Sequence, residues 1–214
     1  MTKVPVLVTG GAGYIGSHAV LALRDAGWPV AVIDDLSNGT RGVVSDDVPF
    51  FEGSIADRPL VDRILGEQQV GAILHFAGSI VVPESVERPL EYYANNTLAS
   101  HALIGAAAAA GVRHIVFSST AAVYGAPERV PIDEADPKVP INPYGASKLM
   151  TERMLADAAA ALPFNFAALR YFNVAGADPD GRAGQIGKGS THLIKVAVEA
   201  AVGKRGHVDI FGTD

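Results

Sequence analysis

Cysteine is absent from the 214 residues. That excludes a disulfide framework, a thiolate metal site and a cysteine nucleophile together. A basic surplus is missing as well: 17 Lys and Arg stand against 23 Asp and Glu, a formal charge of −6. Nucleic acids and anionic membranes attract basic faces, so neither is an expected partner. No apolar stretch approaches the ~20 residues that span a bilayer, because charges, Gly or Pro interrupt each candidate. The opening run, Val4 to Gly10, meets glycines too early for a signal peptide and reads as a first strand. The six histidines, His18, His75, His101, His114, His192 and His207, show no metal-ligand spacing. A soluble, cytoplasmic protein without a metal is the expectation.

What is present is ample core material: 49% of residues are hydrophobic and 19% charged, ordinary for a globular chain. Short β-branched runs alternate with longer Ala- and Leu-rich segments, the pattern of βαβ units around a parallel sheet buried on both faces. Strands are expected at Val4–Thr9, Val30–Ile33, Pro49–Glu52, Ala72–Phe76, His114–Ser118 and Asn165–Arg170. Helices are expected at Tyr14–Ala26, Pro59–Gln68, Pro89–Ala110 and Pro143–Leu162, several opening with Pro and ending near Gly. The alanine runs Ala106–Ala110 and Ala158–Ala161 read as packed helix ends rather than low complexity. After Asn173 a Gly/Pro-rich loop leads to a further helix, Thr191–Val202, and a short strand-like Val208–Phe211. The fold class is α/β: a doubly wound parallel sheet of the Rossmann type over residues 1–172, then the beginning of a smaller, apparently incomplete lobe over 173–214.

Two sequence features carry chemistry. Thr9-Gly10-Gly11-Ala12-Gly13-Tyr14-Ile15-Gly16 follows the first strand and opens the first helix. Glycines there permit a tight turn, close backbone approach to a pyrophosphate and close helix packing, while the helix N-terminus attracts negative charge. The second strand ends in Asp34, where a dinucleotide site places a carboxylate for the adenosine ribose hydroxyls. That carboxylate repels a 2′-phosphate, so NAD is expected over NADP, although Arg41 lies nearby in sequence. A cap on the following Leu36–Gly39 turn is the bland alternative for Asp34. The other feature is Tyr144-Gly145-Ala146-Ser147-Lys148, a phenol and an ammonium one helical turn apart. A tyrosine acting as base near neutral pH needs its pKa lowered by ~3, which a cation favours. Phe117-Ser118-Ser119-Thr120 ends an expected central strand, where open parallel sheets bind ligands.

With these residues in view the chain resembles the extended short-chain dehydrogenases/reductases, and among them the UDP-glucose (UDP-galactose) 4-epimerase family. The likeness runs through Val8–His18, His75-Phe76-Ala77-Gly78, Glu84-Ser85-Val86, Pro89–Asn96, Phe117–Gly125, Asn142–Met150 and Leu169–Asn173. The resemblance implies Tyr144 as general base and acid, Lys148 as its pKa modulator and nicotinamide-ribose ligand, and Thr120 as hydrogen-bond partner of the sugar 4-hydroxyl. It implies cofactor contacts at Gly10, Gly13, Tyr14, Ile15, Gly16, Asp34, Ser54, Ile55, Phe76, Ala77, Asn95, Ser118 and Tyr171, and substrate contacts at Asn173, His192, Leu193 and Phe211. Ser54 replaces an Asp that family members often carry, and Ile80 a Lys that some carry. The implied activity is an NAD-dependent 4-epimerase acting on a UDP-hexose through a 4-keto sugar, in a homodimer. A nucleotide-sugar 4,6-dehydratase is an alternative, disfavoured because Ala121-Ala122 follow Thr120 where related dehydratases carry Asp-Glu. A nucleotide-binding protein without turnover is another.

Overall fold

The computed structural model describes residues 3–187 and 192–210. Among these, six strands form one sheet: β1 (Val6–Thr9), β2 (Val30–Asp34), β3 (Phe50–Glu52), β4 (Ala72–His75), β5 (His114–Ser118) and β6 (Asn165–Leu169). Their order is β3-β2-β1-β4-β5-β6 and every pairing is parallel. Each expected strand is found within two residues of its expected ends. The order reverses direction between β1 and β4, so the crevice beyond their carboxyl ends is the place where such sheets take ligands.

The helices are α1 (Tyr14–Asp25), α2 (Arg58–Glu67), α3 (Val82–Glu87), α4 (Pro89–Tyr92), α5 (Ala99–Ala109), α6 (Pro143–Ala161) and α7 (Leu193–Ala201). They cover both sheet faces, because successive strand side chains point opposite ways. Leu7, Ile33, Ile73, Ile115 and Phe117 face α2, α5 and α6, meeting Val61, Ile64, Leu103 and Leu155. Val6, Val8 and Val32 face the other way, onto Val20 of α1 and onto Val44 and Val48. Alanine does what its size permits: Ala106 and Ala107 of α5 are buried in the first cluster, so the alanine runs are helix surface packed on its neighbours. Capping follows the sequence at two helix starts. Asp57 accepts the Leu60 N–H ahead of α2, and Asn142 Oδ1 accepts the Gly145 N–H at 2.8 Å ahead of α6.

Three expectations need correction. The single helix expected over Pro89–Ala110 is α4, then a π-helix over Tyr93–Leu98, then α5. Its bulge follows from Asn96, which is buried and bonded to another element rather than to its own turn. The helix α3 was not expected at all, since it opens with Pro83 but without a capping side chain. Residues 208–210 form no strand, and Phe211 lies outside the described residues. Beyond β6 the chain returns over α1: the Tyr14 hydroxyl donates to the Gly176 carbonyl at 2.6 Å, and Arg182 forks onto Asp25 and Asp178. No helix among the described residues is long and apolar enough to cross a membrane.

Candidate active site

The turn after β1 is glycine-built for steric reasons. Gly10 has φ +68°, and a Cβ there would stand 2.6 Å from the Ala77 nitrogen. A Cβ on Gly16 would lie 2.1 Å from the Gly10 carbonyl oxygen, so α1 can approach the turn only with hydrogen at that position. Gly13 caps α1 without any side-chain hydrogen bond, unlike the starts of α2 and α6. The first amides of a twelve-residue helix are therefore left for an anion rather than claimed by an Asp or Asn side chain.

Asp34 ends β2 beside this turn and is 7% exposed. One carboxylate oxygen accepts the Ala12 N–H and the other the Leu36 N–H, both at 2.9 Å. Asp34 thus holds the glycine turn and also caps the following turn, so the two readings of this residue coexist in one side chain. Burial pushes its carboxyl above the usual range, against the two amide hydrogen bonds that stabilise the anion. Ile55 is buried in the core and Ser54 Oγ accepts the Ala56 N–H, which leaves chiefly the backbone of this pair to face a ligand.

Across the switch point, β4 and β1 are joined by a directed hydrogen-bond chain that was not expected. The Ala77 N–H donates to Thr9 Oγ1, Thr9 Oγ1 lies 2.7 Å from His75 Nδ1, His75 Nε2 lies 2.9 Å from Ser100 Oγ, and Ser100 Oγ donates to the Asn96 carbonyl. Because Ser100 spends its one hydrogen on Asn96, it must accept from Nε2–H, and Thr9 must donate to Nδ1. The ring is therefore neutral with its proton on Nε2. Burial, with Lys148 adding repulsion, pushes the His75 pKa down to about 3. Between pH 6.5 and 3 the unfolded chain binds a proton here that the folded chain refuses, so stability falls as pH falls through that window. We expect His75→Gln to remove this share, up to about 1.4 kcal/mol per pH unit, from the slope of unfolding free energy against pH, measured by urea denaturation.

Tyr144 and Lys148 lie on α6 and face the end of β5. The Thr120 side chain lies beside Tyr144 and favours its anionic form, and Thr120 Oγ1 accepts the Ala122 N–H at 3.2 Å, which keeps its own hydroxyl hydrogen available to donate. Lys148 Nζ donates to the Ser118 carbonyl at 3.1 Å and stands 5.0 Å from the Phe117 ring centroid and 6.0 Å from that of Tyr144. Ser118 Oγ and the Tyr171 hydroxyl share a short hydrogen bond. A Cβ on Gly78 would come within 3.6 Å of Lys148 Nζ, while Gly10 abuts Ala77. The strand-end segment 77–78 therefore brings the glycine turn and the Tyr144–Lys148 pair onto one crevice.

The electrostatics differ from expectation. Burial raises the Tyr144 phenol above its ordinary 10, with the Thr120 side chain pulling the other way. Lys148, 3% exposed, is itself brought down to about 8 by burial. Its ammonium is directed at the Ser118 carbonyl rather than at the phenol, so the protein alone does not supply the lowering that a base at neutral pH needs.

A parallel sheet, a glycine turn, a strand-end carboxylate and a Tyr-x-x-x-Lys pair thus stand on one crevice. Residues 6–213 fit the NAD dependent epimerase/dehydratase family. The chain belongs to that family. A UDP-glucose 4-epimerase of Azospirillum brasilense is 62% identical over 209 residues, covering 98% of this chain and 60% of that protein. A UDP-glucose 4-epimerase of Halalkalibacterium halodurans is 47% identical over 209 residues, covering 98% of this chain and 62% of that protein. The solved UDP-glucose 4-epimerase of Brucella ovis, in complex with NAD, superposes with a TM-score of 0.92 at 43% identity over 95% of this chain and 62% of that one. The chain thus spans about three fifths of the length of these relatives. As a member of this epimerase/dehydratase family the chain carries a Rossmann-type sheet, as expected from its strand and helix rhythm.

The remaining expected contacts scatter. Asn95 Nδ2 donates to Ser79 Oγ at 2.8 Å, near the same crevice. Tyr14 is tied to Gly176, Ile15 is half-buried, and Phe76 packs on the core face that Val8 lines. Asn173 and Leu193 are exposed, and His192 Nδ1 lies 3.0 Å from Gln185 Nε2 on the segment beyond β6. Glu152, buried, and Arg170, half-buried and paired with it, went unnoticed in the sequence although Arg170 lies inside a motif quoted above.

Proposed function

We propose that this protein is an NAD-dependent UDP-glucose 4-epimerase, with residues 1–172 forming the dinucleotide-binding domain and 173–214 the beginning of the substrate-binding lobe. The carrying observation is the Tyr144–Lys148 pair on α6, with Lys148 Nζ 6.0 Å from the Tyr144 ring centroid, beside the glycine-turn crevice. The residues present fit the dinucleotide. The uncapped start of α1 suits its pyrophosphate and Asp34 its ribose hydroxyls, while Ser118, Lys148, Tyr171, Asn95 and the 76–77 backbone suit its nicotinamide half. Bound there, NAD would supply a reversible hydride acceptor for the sugar C4, by way of a transient 4-keto sugar and without net consumption, and its pyridinium would add a positive charge favouring the phenolate.

Within the chain, the Tyr144 oxygen takes the proton of the sugar 4-hydroxyl and gives it back, which makes it base and acid in turn. Thr120, beside that oxygen, favours its anionic form. Lys148 is fixed by the Ser118 carbonyl at the crevice floor. A 4,6-dehydratase needs a further acid and base to remove a C5 proton and expel the 6-hydroxyl. The 3-10 turn Ala121–Tyr124 after Thr120 opens with two alanines, which offers neither. The proposal includes a cytoplasmic homodimer, for which the exposed Val86, Leu90 and Leu98 supply an apolar face.

The test is proton NMR of UDP-galactose incubated with the protein and no added NAD. UDP-glucose is the expected product. A stable 4-keto-6-deoxy product would favour the dehydratase, and unchanged substrate beside bound cofactor would refute turnover.

A further inference from the structure

Tyr144, Lys148 and Glu152 recur every fourth residue along α6, so they share one helix face. That face meets three consecutive residues at the β5 end. Lys148 Nζ donates to the Ser118 carbonyl, Glu152 Oε1 accepts the Ser119 hydroxyl, and Tyr144 lies beside the Thr120 side chain. Two of these contacts belong to the site already described. The middle one does not.

Ser119 is 1% exposed and Glu152 6% exposed. A carboxylate so deep in the fold is costly unless its oxygens are satisfied. Here they are: Arg170 Nε donates to Oε1 at 2.9 Å and an Arg170 terminal nitrogen to Oε2 at 2.6 Å, a two-pronged clamp. Arg170 follows β6 directly and is held in turn by the Tyr124 hydroxyl at 2.8 Å. Glu152 is thereby fixed from β6 and fixes Ser119 from α6. Ser118 and Thr120 flank Ser119 and are joined to it by planar peptide units, so a displacement of Ser119 is passed to both neighbours.

We propose that Glu152, clamped by Arg170, is a positioning residue that acts through Ser119 to set the Ser118 carbonyl against Lys148 and the Thr120 hydroxyl against Tyr144. The kinetic part of this inference rests on the proposed function; the geometric part does not. The titratable groups facing Lys148 are His75 from β4, which is neutral, and, from its own helix face, Tyr144 one turn before it and Glu152 one turn after it.

The readout is Lys148 itself, followed by pH titration of lysine ε-carbon NMR signals and assigned by the signal lost in Lys148→Met. In the wild type it titrates near 8. A carbonyl hydrogen bond favours the charged ammonium, so losing that bond while Lys148 stays buried lowers the midpoint. We expect Glu152→Gln and Ser119→Ala each to lower it by about 0.5 or more, and the double variant to go no further than either single one. Arg153→Ala, which removes an exposed pair with Asp157 on the same helix, should leave it unmoved. With UDP-galactose, both single variants should lose about tenfold in kcat with KM and bound NAD unchanged. A merely structural role lowers the melting temperature and leaves the Lys148 midpoint of the folded protein where it was. If Glu152→Gln does not fold, Ser119→Ala decides. An unmoved midpoint overturns the inference, whereas a wild type without epimerase turnover but with the shifts intact overturns the proposed function alone.

Discussion

Tyr144→Phe should lose epimerase turnover by about a thousandfold, within the range that a positioned acid–base group contributes, while still purifying with NAD. The change removes one oxygen and keeps the ring. Neither the glycine turn nor Asp34 touches it, so the dinucleotide contacts survive. Because burial holds the phenol above its ordinary value, turnover should rise with pH along its acidic limb as the phenolate form is populated. Thr120→Val deletes the hydroxyl that favours the anion, and should move that limb to higher pH. Initial rates from the anomeric proton signals, collected from pH 5 to 9, check both statements. Turnover of Tyr144→Phe at the wild-type rate would mean that another group carries the proton.

Gly16→Ala should be strongly damaging for so small a change. Its Cβ would sit 2.1 Å from the Gly10 carbonyl oxygen and 2.9 Å from the Gly11 Cα, backbone atoms that cannot swing aside. Relief requires α1 to lift from β1, at a cost of about 3 kcal/mol or more for an overpacked site of this kind, and the lifted helix start no longer presents its amides to a pyrophosphate. The same substitution at Gly66, inside α2, meets nothing within 4 Å. There it should raise stability by about 0.5–1 kcal/mol, since alanine is the better helix former. Thermal melts and the NAD released on denaturation distinguish the two variants in parallel. A Gly16→Ala protein that melts with the wild type and retains NAD would show that the turn is looser than its geometry.

The strands, the glycine turn and the Tyr144–Lys148 pair were legible because each is written within a short stretch of chain: a β-branched run, a spacing of glycines, a spacing of four. Asp34 was legible through its distance from Gly16. What escaped is written between elements. Nothing local says that Glu152 of α6 reaches Arg170 after β6, or that His75 hands a proton to Ser100 from one side while taking one from Thr9 on the other. The Tyr144 pKa failed for a related reason: a spacing of four places Lys148 near Tyr144 but cannot report that its ammonium binds the Ser118 carbonyl, nor how far burial works against both charges. The helix over Pro89–Ala110 was read as one piece because its apolar rhythm continues across Tyr93–Leu98; only the environment of Asn96 reveals the change of winding.

That winding sets a phase. Asn96 reaches forward to the Ser79 amide and sideways to Ser147 of α6, and Ser100, four residues on, meets His75. Each helical residue turns the axis by about 100°, so deleting one residue between Tyr93 and Leu98 would restore an ordinary helix and rotate one of these two asparagine and serine anchors away from its partner. The irregular turn works as a vernier, keeping a buried contact within it and another just beyond it in step with α6 and with the sheet at once.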